Sequence, residues 1–144
     1  MRLILICVGK IRQPFEDDVA HYERLLSRLA RVETIELREG DVEREGEAIL
    51  KRIPPESHVC ALDREGRTIT SESLAAFLEE RRTAGADVCF VIGGPFGLSS
   101  AVLERAADRL SLGAITLPHQ LARVILLEQL FRAHKIVLGQ RYHY

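Results

Sequence analysis

The sequence predicts an α/β fold, a mostly parallel sheet with helices on both faces, in one domain spanning residues 1–144. Three observations carry this. Strand-like and helix-like segments alternate five times at βα spacing, with no internal repeat and no linker. Val88 to Ile92 is an unbroken apolar run, the pattern of a strand buried on both faces of a parallel sheet. That run enters Gly93-Gly94-Pro95-Phe96-Gly97, after which Ser99 or Ser100 can cap a helix starting near Ala101. A buried strand, a glycine turn and a helix in succession mark where open α/β sheets place ligands, at the carboxyl ends of the strands.

Leu3 to Val8 is the first strand, closed by Gly9. Pro14 stands near the start of a helix whose Phe15, Val19, Tyr22, Leu25, Leu26 and Leu29 keep three-and-four spacing. Val32 to Leu37 alternates imperfectly with acids and reads as a strand nearer an edge. Val42 to Ile53 is a charged surface helix with Ala48, Ile49, Leu50 and Ile53 as its apolar face, stopped by Pro54-Pro55. His58 to Leu62 is a third strand and Asp63-Arg64-Glu65-Gly66 is turn chemistry. Ser71 or Ser73 starts a helix that ends near Gly85. After the glycine turn, a helix is expected from Ala101 to about Leu110, and a fifth strand over Ala114-Ile115-Thr116-Leu117. The last segment, Gln120 to Leu138, is a long helix with apolar residues over more circumference than one buried face requires. A second subunit sharing that helix is the expectation, in a homodimer.

Composition narrows the function classes. Apolar residues make up 47% of the chain, enough for a core without staples. No apolar run approaches the roughly 20 residues of a membrane span. The apolar start, Leu3 to Val8, runs into Gly9-Lys10 without a small-residue cleavage site, so the cytoplasm is the expected compartment. Cys7, Cys60 and Cys89 each lie inside a strand-like run and read as buried thiols serving as small hydrophobes. No residues have metal-ligand spacing, and no metal is expected. Net charge is −1, but it is unevenly spread. From Pro118 onward there are four cations (Arg123, Arg132, Lys135, Arg141) against one anion, Glu128, with three of the five histidines in the same stretch. That asymmetry points to an anionic partner near the C-terminus, or to a helix with a solvated cationic edge.

Several chemistries are excluded by motif. Gly-Lys-Ser/Thr does not come after the glycine turn, so it is not a P-loop, and neither it nor the first strand carries the dinucleotide fingerprint. Pro95 removes a backbone donor from the turn, which disfavours a diphosphate cradle. There is no nucleophile elbow and no activated cysteine. What remains is a glycine turn suited to an uncharged, flat or cationic ligand, or glycines that simply turn a strand into a helix.

The turn gains meaning from the C-terminal third of the chain. Val91-Ile92-Gly93-Gly94-Pro95-Phe96-Gly97-Leu98 is succeeded by Leu110-Ser111-Leu112-Gly113-Ala114-Ile115-Thr116-Leu117-Pro118-His119. Arg123-Val124, Glu128-Gln129-Leu130-Phe131-Arg132-Ala133 and Tyr142-His143 complete the series. It resembles the SPOUT-class RNA methyltransferases, specifically the ribosomal RNA large subunit methyltransferase H family, closely over Val88 to His143 and more loosely before. The resemblance implies a homodimer with a C-terminal trefoil knot that methylates N3 of a pseudouridine in large-subunit ribosomal RNA. It also implies an S-adenosylmethionine site at Leu62, Gly93, Gly97 and the stretch Leu112, Gly113, Ala114, Ile115, Thr116 and Leu117. For RNA contact and proton removal the candidates are His119, Arg123, Arg132, Tyr142 and His143, the histidines because imidazole titrates near neutrality. His119 is equally placed to cap the long helix, and Arg123 to pair with Glu128 across a dimer. The chain ends in Tyr144 where relatives usually carry Lys or Arg.

Overall fold

The computed structural model describes residues 1–144. Five strands, β1 (Arg2–Val8), β2 (Arg31–Leu37), β3 (His58–Thr68), β4 (Val88–Ile92) and β5 (Asp108–Ser111), form one sheet in the order β2-β1-β4-β3-β5. Every neighbouring pair is parallel. The helices are α1 (Glu16–Ser27), α2 (Val42–Arg52), α3 (Ser71–Thr83), α4 (Ser100–Arg105) and α5 (His119–Val137).

The two faces of β1 show why the sheet is covered on both sides. Leu3, Leu5 and Cys7 point into a core shared with Val19 and Leu26 of α1, Leu74 and Leu78 of α3, and Leu126, Leu127 and Leu130 of α5. The alternate residues Ile4, Ile6 and Val8 meet Ile49 of α2 and Val102 of α4. Both β1 and β4 are buried along nearly their whole length, as their unbroken apolar runs require. Side-chain caps fix three helix starts. Asp41 accepts from Arg44 N–H at 2.8 Å, and Ser99 accepts from Val102 N–H at 3.3 Å. Thr70 and Ser73 form a reciprocal capping box.

From β3 onward the structure corrects the sequence reading in three places. The fifth strand is Asp108–Ser111, and residues 114–117 form an irregular segment in which Ile115 is 79% exposed. The helix expected over Ala101 to Leu110 stops at Arg105, because Leu110 is needed in the sheet beside Leu62. Finally, β3 continues past Leu62 to Thr68. Its pairing with β5 jumps from Leu62↔Leu110 to Arg67↔Leu110, so residues 63–66 are extruded from the ladder as an irregular bulge.

The long α5 lies against β4 between α1 and α3, so much of its wide apolar circumference is covered within the chain. Its end is not: Val137 and Leu138 are 42% and 54% exposed.

Candidate active site

A cavity of about 490 Å³ opens at the carboxyl ends of β3, β4 and β5. Nineteen residues line it: residues 62–64 after the regular part of β3, residues 92–98 after β4, Leu103 of α4, residues of 110–117 around the end of β5, and the start of α5. Parallel strands bring these loops to one edge, which is why a site built from residues 50 positions apart is compact.

The glycine turn closes on itself. Gly97 N–H donates to Gly94 C=O at 3.1 Å, with Pro95 at the second position of the turn and Phe96 82% exposed at its tip. Gly97 has φ +83°, a conformation in which side chains are strained. Gly93 is needed for a different reason. A Cβ there would stand 2.8 Å from Gly97 O and 2.8 Å from Leu98 Cδ2, so only glycine lets the loop fold back over its own root.

The cavity is lined by apolar side chains and glycines, with three chargeable groups: Asp63, Arg64 and His119. His119 is the first residue of α5, after Pro118 at the cap position. Its buried Nε2 faces Glu39 Oε1 at 3.6 Å and has no hydrogen-bond partner.

The sequence-predicted residues divide between three places. Leu62, Gly93, Gly97, Leu112, Gly113, Ile115, Thr116, Leu117 and His119 line the cavity. Ala114 lies in the same loop without facing it. Arg123 is held elsewhere, in a buried ion pair: its Nη1 donates to Glu36 Oε2 at 2.6 Å and its Nη2 lies 3.8 Å from Glu23 Oε1. Within the chain, Glu128 pairs with Arg132 instead. Burial pulls the Glu36 carboxyl up, but Arg123 and the Ile11 N–H outweigh that and hold it below its ordinary range.

Arg132, Tyr142 and His143 converge on one another but not on the cavity. Arg132 grips Glu128 through Nε at 3.0 Å and Nη2 at 3.1 Å, and its guanidinium lies 4.8 Å over the Tyr142 ring. Tyr142 packs edge-on against Phe131 and donates to Glu128 at 3.3 Å; burial and that carboxylate push its phenol above the usual value. His143 has both ring nitrogens engaged. Arg132 can only donate, so Nδ1 accepts from it at 3.2 Å and Nε2–H donates to Glu72 at 2.7 Å.

Sequence reading missed Asp63 and Arg64, which it assigned to turn chemistry. It also missed that His58, Cys60 and Asp108 converge within 4.8 Å. That cluster is an ion-paired sheet edge rather than a cation site. His58 and Asp108 are joined at 2.6 Å, and Arg67 and Arg81 reach Asp108 and His58 at 3.4 and 3.5 Å. Burial raises the Asp108 carboxyl, but His58 and Arg67 hold it below its ordinary range, while burial pushes the Cys60 thiol far up.

The family model described as "Predicted SPOUT methyltransferase" matches residues 1–143. The chain belongs to the SPOUT methyltransferase family. A protein of Rubrobacter xylanophilus named Ribosomal RNA large subunit methyltransferase H is 48% identical, over 99% of this chain and 98% of its own length. Similar proteins of the same name are 42% identical in Carboxydothermus hydrogenoformans, over 99% of both chains, and 40% identical in Thermotoga neapolitana, over the full length of both. Among solved structures, a probable methylase family protein from Haemophilus influenzae matches with a TM-score of 0.57 at 13% identity. It covers 99% of this chain and 70% of that one, a likeness of fold alone.

Proposed function

We propose that this chain transfers a methyl group from S-adenosylmethionine to N3 of a pseudouridine in large-subunit ribosomal RNA, as a single-domain, knotted homodimer in the cytoplasm. The observation that carries this reading is the cavity at the carboxyl ends of β3, β4 and β5, set in a chain of SPOUT family. Full-length similarity to proteins named for large-subunit ribosomal RNA methylation supports the substrate. No helix is long and apolar enough to cross a membrane.

The donor set fits the methyl donor. At about 490 Å³ the cavity falls within the roughly 300–1,000 Å³ that encloses small-molecule ligands. Leu62, Leu112, Ile115 and Leu117 offer an apolar slot for a flat base, and the loop backbone over residues 93–97 and 112–117 offers N–H and C=O groups to its edge. When bound, S-adenosylmethionine supplies a methyl group activated on a sulfonium. The residues Leu62, Gly93, Gly97 and Leu112 to Leu117 would hold it, and their main task is alignment, because in-line transfer gains most of its rate from positioning.

The N3 proton of the target base needs an acceptor. His119 is the histidine that lines the cavity. Its Nε2 lies 3.6 Å from Glu39 Oε1, and in this reading the imidazole accepts that proton. Arg132, Tyr142 and His143 lie outside their own subunit's cavity, so they serve RNA binding from a second copy of the chain, whose cavity they complete. Arg123 supports the site from within its pair with Glu36, fixing the first turns of α5.

The test is methylation of ribosomes from a strain lacking the enzyme, read by mass spectrometry of large-subunit nucleosides. A new methyl on pseudouridine is expected. Binding of S-adenosylmethionine without transfer would instead leave a non-catalytic RNA-binding dimer, and neither binding nor transfer would end both readings.

A further inference from the structure

The extrusion of residues 63–66 from the β3–β5 ladder puts two opposite charges, side by side in sequence, on the wall of the cavity. Gly66 makes the extrusion possible: a Cβ there would stand 2.5 Å from Arg109 O, so a larger residue would push the two strands apart. The charges are not consumed by the protein. Asp63 Oδ1 accepts only the Glu65 N–H at 3.2 Å, a local turn bond, and neither Asp63 nor Arg64 forms an ion pair within the chain. Arg64 Nη1 donates to Thr116 Oγ1 at 2.5 Å, which brings its guanidinium to the opposite, 112–117 wall of the same cavity. Apart from His119, the rest of the lining carries no chargeable side chain.

We infer that Asp63 and Arg64 recognise a zwitterionic α-amino acid group, the ammonium at Asp63 and the carboxylate at Arg64, and so select a ligand that carries its amino-acid tail intact. This rests on the reading that the cavity holds S-adenosylmethionine. The apolar slot between the two loops accounts for the adenosine end of such a ligand but offers nothing to a tail with one positive and one negative group. A planar guanidinium presents parallel N–H donors that match a carboxylate's two oxygens. Thr116 pre-sets the Arg64 side chain, so less rotamer freedom is lost when the carboxylate arrives. Asp63 is held by its turn bond through Oδ1, and its Oδ2 has no partner within the chain.

The test is calorimetric titration of wild type, Arg64→Gln and Asp63→Asn with three ligands, each variant checked by its melting temperature. S-adenosylhomocysteine carries the whole amino-acid tail, its decarboxylated form keeps only the ammonium, and 5′-methylthioadenosine has neither. Arg64→Gln is expected to weaken S-adenosylhomocysteine about tenfold, the value of one charge-assisted contact at a water-exposed site, and to leave the other two within about twofold. Asp63→Asn is expected to weaken S-adenosylhomocysteine and its decarboxylated form and to spare 5′-methylthioadenosine. Equal losses for all three ligands would show that these residues only shape the loop, and no loss for any would show that they do not touch the ligand; either result overturns the inference while leaving the cavity as the cofactor site. Failure of wild type to bind any of the three would overturn the cofactor site itself, and the inference with it.

Discussion

Removing the charge of Glu36 tests whether Arg123 is a structural or an RNA-contacting residue. The Arg123 side chain is 6% exposed, its Nη1 is 2.6 Å from Glu36 Oε2, and its Nε is buried without a partner. A charge-assisted bond of this kind contributes about 1.5–3 kcal/mol, and stripping a fully buried cation of its partner costs about 3–5 kcal/mol. Glu36 is 33% exposed and Glu23 stays at 3.8 Å, so water and the second carboxylate recover part of that. Glu36→Gln is therefore expected to destabilise by about 2 kcal/mol, a fall in Tm of about 7 °C at roughly 2.1 cal/mol/K per residue over 144 residues. The sign with pH comes from the depressed Glu36 carboxyl. Its stabilisation is complete above the ordinary value of 4.5 and disappears as pH falls through the lower value it has in the folded chain, so the gap between wild type and variant should close in acid. In thermal melts at pH 7, the double variant Glu36→Gln/Arg123→Met should recover most of the loss, since no buried charge is left unpaired. An unchanged Tm for Glu36→Gln would refute the reasoning and return Arg123 to the set of free cations available to RNA.

Gly93→Ala should abolish S-adenosylmethionine binding by displacing the turn 94–97, because its Cβ meets Gly97 O at 2.8 Å; Gly97→Ala, with nothing within 4 Å, should cost only about 1–2 kcal/mol of backbone strain and keep measurable affinity. Gly46→Ala should lower stability by about 2 kcal/mol by urea melts despite alanine's helix preference, because its Cβ would lie 2.3 Å from the Oγ of Ser99, the α4 cap. The thiols of Cys7 and Cys89, both pushed up to about 12 by burial, should resist iodoacetamide at pH 8 in the native protein and react once it is unfolded in urea.

The central strands β1 and β4 were legible because they are buried on both faces: a run such as Val88 to Ile92, apolar at every position, has few alternatives to a central parallel strand. The fifth was not. In Asp108-Arg109-Leu110-Ser111 only the last two residues are buried, so an edge strand carries little of the expected pattern, whereas the apolar Ala114-Ile115-Thr116-Leu117 has it in full. That apolar character belongs to a cavity wall instead of a sheet. The same confusion hid Asp63 and Arg64, since turn residues and residues that present charge from a bulge share one composition. The glycine turn was legible from its own residues as a candidate, and only the order of motifs downstream gave it a ligand. The ion pair of Arg123 was not legible because its partners, Glu23 and Glu36, are 100 and 87 positions away in sequence, brought to it by α1 and β2.

Whether the methyl donor occupies the cavity at the carboxyl ends of β3, β4 and β5 is tested most directly by amide hydrogen exchange with and without S-adenosylmethionine. New protection is expected to be confined to residues 62–64, 93–98 and 112–117, with unchanged exchange in α2 and at the exposed end of α5. Protection that fell instead around the smaller neighbouring cavity between α3 and α5, lined by Ser71, Leu74, Ile125 and Gln129, would contradict that placement, as would no protection at all.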